Sequence, residues 1–254
     1  MMVHRYFIYL TFDGTRYHGW QVQPNGISVQ EVLESALSTR LRKKMEVVGA
    51  GRTDAGVHAM TMVAHFDDEQ ERDCAQLHYK LNRILPRDVA VNKVVEVSPE
   101  LHARFSAVKR TYHYYVHTRK LPFCQGRSAE MHYDLDFDKM NEAAQILLDT
   151  HDFASFCKAN SDAKTTLCDV MEAHWDPVGE GRWCFTIAAN RFLRNMVRAV
   201  VGTLLNVGRG KCSIDEFRRI VNSGKRTEAG ESVPACGLYL WDVEYPEDSN
   251  NKND

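Results

Sequence analysis

What most constrains this chain is the order in which strand-like and helix-like apolar periodicities follow one another. Residues 5–12 alternate and are rich in β-formers, which predicts a strand. After the turn Asp13-Gly14-Thr15 comes Ser28-Val29-Gln30-Glu31, a capping box whose serine oxygen and glutamate carboxylate can satisfy free amides at a helix start. Val29, Val32, Leu33, Ala36, Leu37 and Leu41 then recur at helical spacing. Arg40, Arg42, Lys43 and Lys44 fall at the end where the helix dipole favours cations. Strands are expected near residues 45–50 and 61–66, a helix across 73–85 ended by Pro86, and a strand at 89–97. The order is β-α-β-β-α-β.

The second half repeats that order with one helix more. Residues 111–118 read as a strand, and 138–148 as a helix with Met140, Ala143, Ala144, Leu147 and Leu148 on one face. Residues 166–175 and 182–190 read as paired strands joined by a turn around Pro177 and Gly179. Residues 193–207 are helical by spacing, and Ser213-Ile214-Asp215-Glu216 is a second capping box opening a helix to Ser223. An alternating strand at 237–245 closes the pattern. Two split β-α-β units in tandem predict an α+β protein made of two ferredoxin-like halves. The sheet should be largely antiparallel, with helices on one face and a catalytic cleft between the halves. The halves are placed at residues 1–105 and 106–245 with no linker between them, and the polar residues 246–254 are expected to be disordered.

Composition narrows the setting. No apolar stretch approaches the roughly 18–20 residues needed to cross a bilayer, and the N-terminus runs at once into a strand. The chain therefore reads as cytoplasmic, without membrane attachment. Its seven cysteines are scattered, odd in number and never at metal-ligand spacing, which argues for reduced core thiols rather than disulfides or zinc. The net charge of −2 does not advertise a polyanion partner. Yet from Arg104 to Lys120 and from Arg191 to Lys211 every charged residue is basic. Two such segments could form a positive surface for phosphates, or simply be solvated faces.

The most informative chemistry lies in residues 51–59, GRTDAGVHA, where glycines bend the chain just after a strand. Such a loop can hold a side chain in the open, and Asp54, close to Arg52, would be kept ionised and able to attack. By itself Asp54 reads better as a turn carboxylate that caps a helix or pairs with Arg52. Tyr112 alone reads as a core aromatic, Arg198 alone as a surface ion pair, and His58 as structural. No phosphate loop, dinucleotide fingerprint or metal-ligand cluster is present in the sequence, so neither cofactor nor metal is expected. Thr11-Phe12-Asp13-Gly14-Thr15 resembles a phosphatase loop, but Thr11 stands where that chemistry requires aspartate. Glycoside hydrolysis would want a second carboxylate beside Asp54.

The segment 51–59 resembles the active-site motif of the TruA family of tRNA pseudouridine synthases. Further segments similar to that family follow in its order. They are Tyr17-His18-Gly19-Trp20-Gln21-Val22-Gln23-Pro24, Phe105-Ser106-Ala107 with Arg110-Thr111-Tyr112-His113-Tyr114, and Asp152-Phe153-Ala154-Ser155-Phe156. Asn195-Met196-Val197-Arg198 and Pro234-Ala235-Cys236-Gly237-Leu238-Tyr239-Leu240 complete the set. The resemblance implies that Asp54 is the nucleophile, that Tyr112 stacks on the target base, and that Arg52 contacts the RNA and helps extrude the base. It implies also that Arg198 pairs with the catalytic carboxylate. The reaction implied is isomerisation of uridine to pseudouridine on a flipped-out nucleotide. The substrate would be tRNA, at the anticodon stem-loop around positions 38 to 40, and the enzyme a homodimer. The alternative is a non-catalytic RNA-binding protein of the same fold. The segment 121–133 matches no pattern of the family.

Overall fold

The computed structural model describes residues 3–158 and 164–246. Apart from one short extra strand, the elements occur in the expected order. They are β1 (His4–Phe12), α1 (Val29–Leu41), β2 (Val48–Gly49), β3 (His58–Asp68), α2 (Cys74–Ile84), β4 (Val89–Val97) and β5 (Lys109–His117). Then follow β6 (Ala129–Glu130), α3 (Phe137–Gln145), β7 (Val170–Gly179), β8 (Arg182–Ala189), α4 (Met196–Gly208), α5 (Ile214–Ser223) and β9 (Leu238–Glu244). The strands pair mostly antiparallel. The chain forms two compact units, one holding residues up to Val108 and again from Leu240, the other Lys109–Tyr239. The last strand thus starts in the second unit and continues in the first. The tail, from residue 247 on, lies outside the described residues.

In the first unit β1 is central, antiparallel to both β3 and β4, and β2 adds to β3. The strand order is therefore β4-β1-β3-β2. A central strand is covered on both faces, and accordingly Tyr6, Phe7 and Ile8 are all buried in succession. The serine half of the first capping box forms: the Ser28 hydroxyl accepts from the Glu31 amide at 3.2 Å. Asp73 caps α2 in the same way, accepting from Gln76.

In the second unit β5 pairs with β8 and β8 with β7, all antiparallel. The capping serine Ser213 accepts from Glu216 at 3.1 Å. Two local expectations are corrected. The strand foreseen at 166–175 is Val170–Gly179, and it runs through Pro177, because β7 ends the order β5-β8-β7 and a missing N–H is tolerated on an edge. The turn is instead Glu180-Gly181, with Gly181 at φ +66°. The unmatched segment 121–133 contributes β6, a two-residue parallel partner of β5 too short to leave a periodic signature. All seven cysteines are free thiols, four of them buried.

After β4 the first unit makes a turn of unusual rigidity. The Leu101 carbonyl accepts from Arg5 at 2.9 Å, and the Ala103 amide donates to His65 Nδ1 at 3.1 Å. The Ala103 carbonyl accepts from the Tyr245 hydroxyl at 2.6 Å. His102 Nδ1 accepts the amides of Arg104 and Phe105, while His102 and Ser106 bond each other through amide, hydroxyl and carbonyl. Both imidazoles accept through Nδ1, so each must be neutral to do this work. Burial, reinforced by the Arg5 cation, pushes His65 down to about 4, and the same causes lower His102.

Between the ordinary histidine value of 6.5 and about 4, the unfolded chain takes up a proton that folded His65 refuses. Stability should therefore decline as pH falls across that window, with no further loss from His65 below it. His113 in the second unit, also held down to about 4 by burial, adds to the slope. Thermal melts from pH 7 to pH 4 should show this decline, and a shallower one in His65→Gln. An unchanged slope in the variant would remove His65 as its source.

Candidate active site

The loop carrying Asp54 is shaped by the segment 13–20 packed against it. The Tyr17 carbonyl accepts from the Gly56 amide at 3.2 Å, and the Trp20 amide donates to the Thr53 carbonyl at 3.3 Å. Within the loop, the Val57 amide closes a turn on the Asp54 carbonyl at 3.2 Å. The approach is closer than a side chain allows: a Cβ on Gly14 would strike the Val57 carbonyl, and one on Gly19 the Thr53 carbonyl. Gly19 at φ +86° and Gly56 at φ +77° also take backbone conformations that other residues resist. The Trp20 indole lies where a Cβ on Gly49 would sit, so β2 is pinned to the same segment.

Polar anchors complete the frame. The Tyr17 hydroxyl donates to Asp88 at 2.7 Å, and burial together with that bond pushes it up to about 12, so it stays a neutral donor. His58, buried at the base of the loop, accepts the Gly14 amide at 3.1 Å. On this frame Asp54 is half-buried, Arg52 exposed and Thr53 buried. Thr53 Oγ1 has no protein hydrogen-bond partner, so a donor and acceptor stands uncommitted beside Asp54 in sequence.

The second unit places the other two expected residues. Tyr112 lies in β5, half-buried, its ring meeting Phe192 edge-on with centroids 5.0 Å apart. Tyr114, two residues on, shares its face of the strand and is fully buried. The Tyr114 hydroxyl donates to the Pro234 carbonyl at 2.8 Å, and burial drives its ionisation far above the usual tyrosine range. Arg198, in the first turn of α4, donates through Nε to the adjacent Val233 carbonyl at 2.7 Å. The Val233 amide returns a bond to the Arg198 carbonyl at 3.2 Å. Residues 233–234 therefore hold Arg198 and the face of β5 that bears Tyr112 by two consecutive carbonyls. A Cβ on Gly202 would strike the Glu231 carbonyl, which keeps this strap tight on α4.

The structure places Asp54 and Arg52 on one loop of the first unit, and Tyr112 on β5 and Arg198 on α4 of the other. Not every basic residue of the two acid-free segments is left to solvent. Arg119 is held bidentate by Glu180 at 2.6 and 3.0 Å, Arg110 donates to the Asn190 carbonyl, and Arg209 lies 4.0 Å over the Tyr133 ring. Sequence reasoning missed the framework role of Gly14, Tyr17, Gly19 and Trp20. The spacing of glycines at 14 and 19 against those at 49, 51 and 56 was the available signal.

Comparison with known proteins identifies the family. The sequence profile of a family described as tRNA pseudouridine synthase matches residues 8–106 and 143–246. A tRNA pseudouridine synthase A of Bacteroides fragilis is 57% identical over 98% of this chain and 99% of its own length. Its namesake from Bacteroides thetaiotaomicron is 55% identical over 96% of this chain and 91% of its own length. One from Bacillus licheniformis is 40% identical over 93% and 97%. The two glycine-bent units thus carry the sequence of an RNA-isomerase class. The chain belongs to the tRNA pseudouridine synthase family, as the ordered motifs led one to expect.

Gly14→Ala should destabilise the fold by about 1–3 kcal/mol, because its methyl group must displace backbone rather than a flexible side chain. Gly51→Ala is the control within the same loop region, since nothing lies within 4 Å of a Cβ there. Urea unfolding of both variants checks the contrast, and equal midpoints would refute the clamp.

Proposed function

We propose that this chain isomerises uridine to pseudouridine in tRNA, with Asp54 as the nucleophile. The observation that carries the reading is end-to-end similarity, 57% over 98% of the chain, to a tRNA pseudouridine synthase A. The geometry supports it: the backbone of the Asp54 loop is pinned on both sides while Asp54 is only half-buried. In this assignment Tyr112 stacks on the target base, Arg52 contacts the RNA and helps extrude the nucleotide, and Arg198 steadies negative charge during the reaction. Phe192 and the Val233 carbonyl restrict the ring and the guanidinium respectively, which favours positioning roles.

The reaction is internally balanced. The N1–C1′ bond breaks, the base turns, and a C5–C1′ bond forms. C5 gives up a proton and N1 gains one, so nothing is added or removed overall. A single carboxylate with an aromatic wall and a fixed cation is chemically sufficient. The target must leave its stack to be reached. The finer reading assigns the anticodon stem-loop around positions 38 to 40, a homodimer and a cytoplasmic setting. It takes each unit as a ferredoxin-like half. Supporting that last point, the first unit has the order β4-β1-β3-β2, and β5-β8-β7 in the second repeats the arrangement β1-β3-β2. The non-catalytic alternative draws no support from the relatives, which are named as synthases.

Tritium release from tRNA labelled at uridine C5 tests the assignment. Asp54→Asn should lose release by a factor on the order of 10³ or more while binding tRNA as the wild type does. Release unchanged in the variant would dismiss Asp54 as nucleophile, and no release by the wild-type protein on bound tRNA would dismiss the enzyme.

A further inference from the structure

The turn at residues 101–106 has no part in the reaction above, yet it is held by more hydrogen bonds than a connector needs. What it presents is Phe105, 76% exposed. One side of the ring faces His102, with centroids 4.4 Å apart and planes inclined by 32°. His102 is itself braced edge-on by His65 at 4.6 Å. The Arg104 guanidinium lies 5.7 Å from the Phe105 centroid. A phenyl ring so exposed contributes little to the fold, whereas the groups that fix it are buried or paired. The turn orders an apolar plane in water, beside a cation, before any partner arrives.

That combination matches an unstacked nucleobase and its phosphate. Aromatic planes accept any base, and an adjacent guanidinium attracts the backbone. The sequence around it agrees in charge, since every charged residue from Arg104 to Lys120 is basic. With His65 and His102 kept neutral, the fixed charge of the turn comes from arginine at any pH near 7. We propose that Phe105 is a stacking platform for an unpaired nucleotide of the bound RNA other than the uridine being isomerised, with Arg104 on an adjoining phosphate. This rests on the tRNA reading above. Preorganisation is the reason for the rigid turn: ordering the ring during folding spares that cost on binding.

The full-length protein and an unmodified tRNA transcript, followed by fluorescence anisotropy, provide the test. Phe105→Ala should weaken binding roughly 5- to 150-fold, the range for losing one base–aromatic stack. Phe105→Trp should restore it. Turnover at saturating tRNA should be unchanged in both, so that the effect falls on KM. Arg104→Gln should reduce the salt dependence of binding by about one phosphate contact, while Phe105→Ala leaves the slope alone. Melting temperatures should not move, because the ring is exposed. Wild-type affinity in Phe105→Ala overturns the proposal, even if the wild-type protein releases tritium normally. So does a loss of self-association in sedimentation with tRNA affinity intact, which would make Phe105 a contact between copies of the chain. Weakened binding by the variant, with no tritium release from the wild type, would keep the platform and discard the isomerase.

Discussion

The candidate site depends on two places where backbone meets backbone with no room for a Cβ: Gly14 against the Val57 carbonyl and Gly19 against the Thr53 carbonyl. Close packing of main chain on main chain has two effects. It removes the side-chain freedom that would let a loop drift, and it brings amides within reach of carbonyls that would otherwise need water. The Tyr17 carbonyl and the Trp20 amide supply those bonds directly. A loop built this way carries Asp54, half-buried, at a defined place.

The second unit solves the same problem by different means. Its strap, residues 230–234, lies against α4 at Gly202, and its carbonyls hold Arg198 and Tyr114. An arginine offers several donors, and committing Nε to a main-chain acceptor fixes the plane of the guanidinium. Tyr114 is in effect the counterpart of Tyr17: each is a neutral tyrosine hydroxyl, kept protonated by burial, that ties one motif to another. Most of the residues that resemble the family pattern are thus framework rather than chemistry.

This explains what could and could not be read from the chain. Element types were legible because period and capping are local: Ser28 and Ser213 cap the helices they announce. The strand through Pro177 was not, since whether a proline interrupts a strand depends on whether that strand has a neighbour on its N–H side, which is a tertiary fact. The pair Ala129–Glu130 was invisible for the opposite reason, being held only by its partner β5. Asp54 stood between two readings until the other motifs were placed in order, because a carboxylate in a glycine turn is common and its support arrives from residues some forty positions upstream. Phe105 gave no sign of being exposed, since a phenylalanine ordinarily marks a core, here even between Arg104 and Ser106.

A reaction that breaks and remakes a bond to the same base needs its participants held still more than it needs many of them. Effective concentration and alignment can supply a large part of the barrier reduction when a single nucleophile is involved. The chain invests accordingly. Its His58 and His65 rings accept main-chain amides, its buried tyrosines donate to fixed acceptors, and its glycines admit close backbone contact. These devices are hydrogen bonds and backbone contacts, and even the one that ends on a carboxylate, Tyr17 on Asp88, reaches it through a neutral hydroxyl. Rigidity of this kind rests on main-chain geometry rather than on the cations that an anionic substrate would meet.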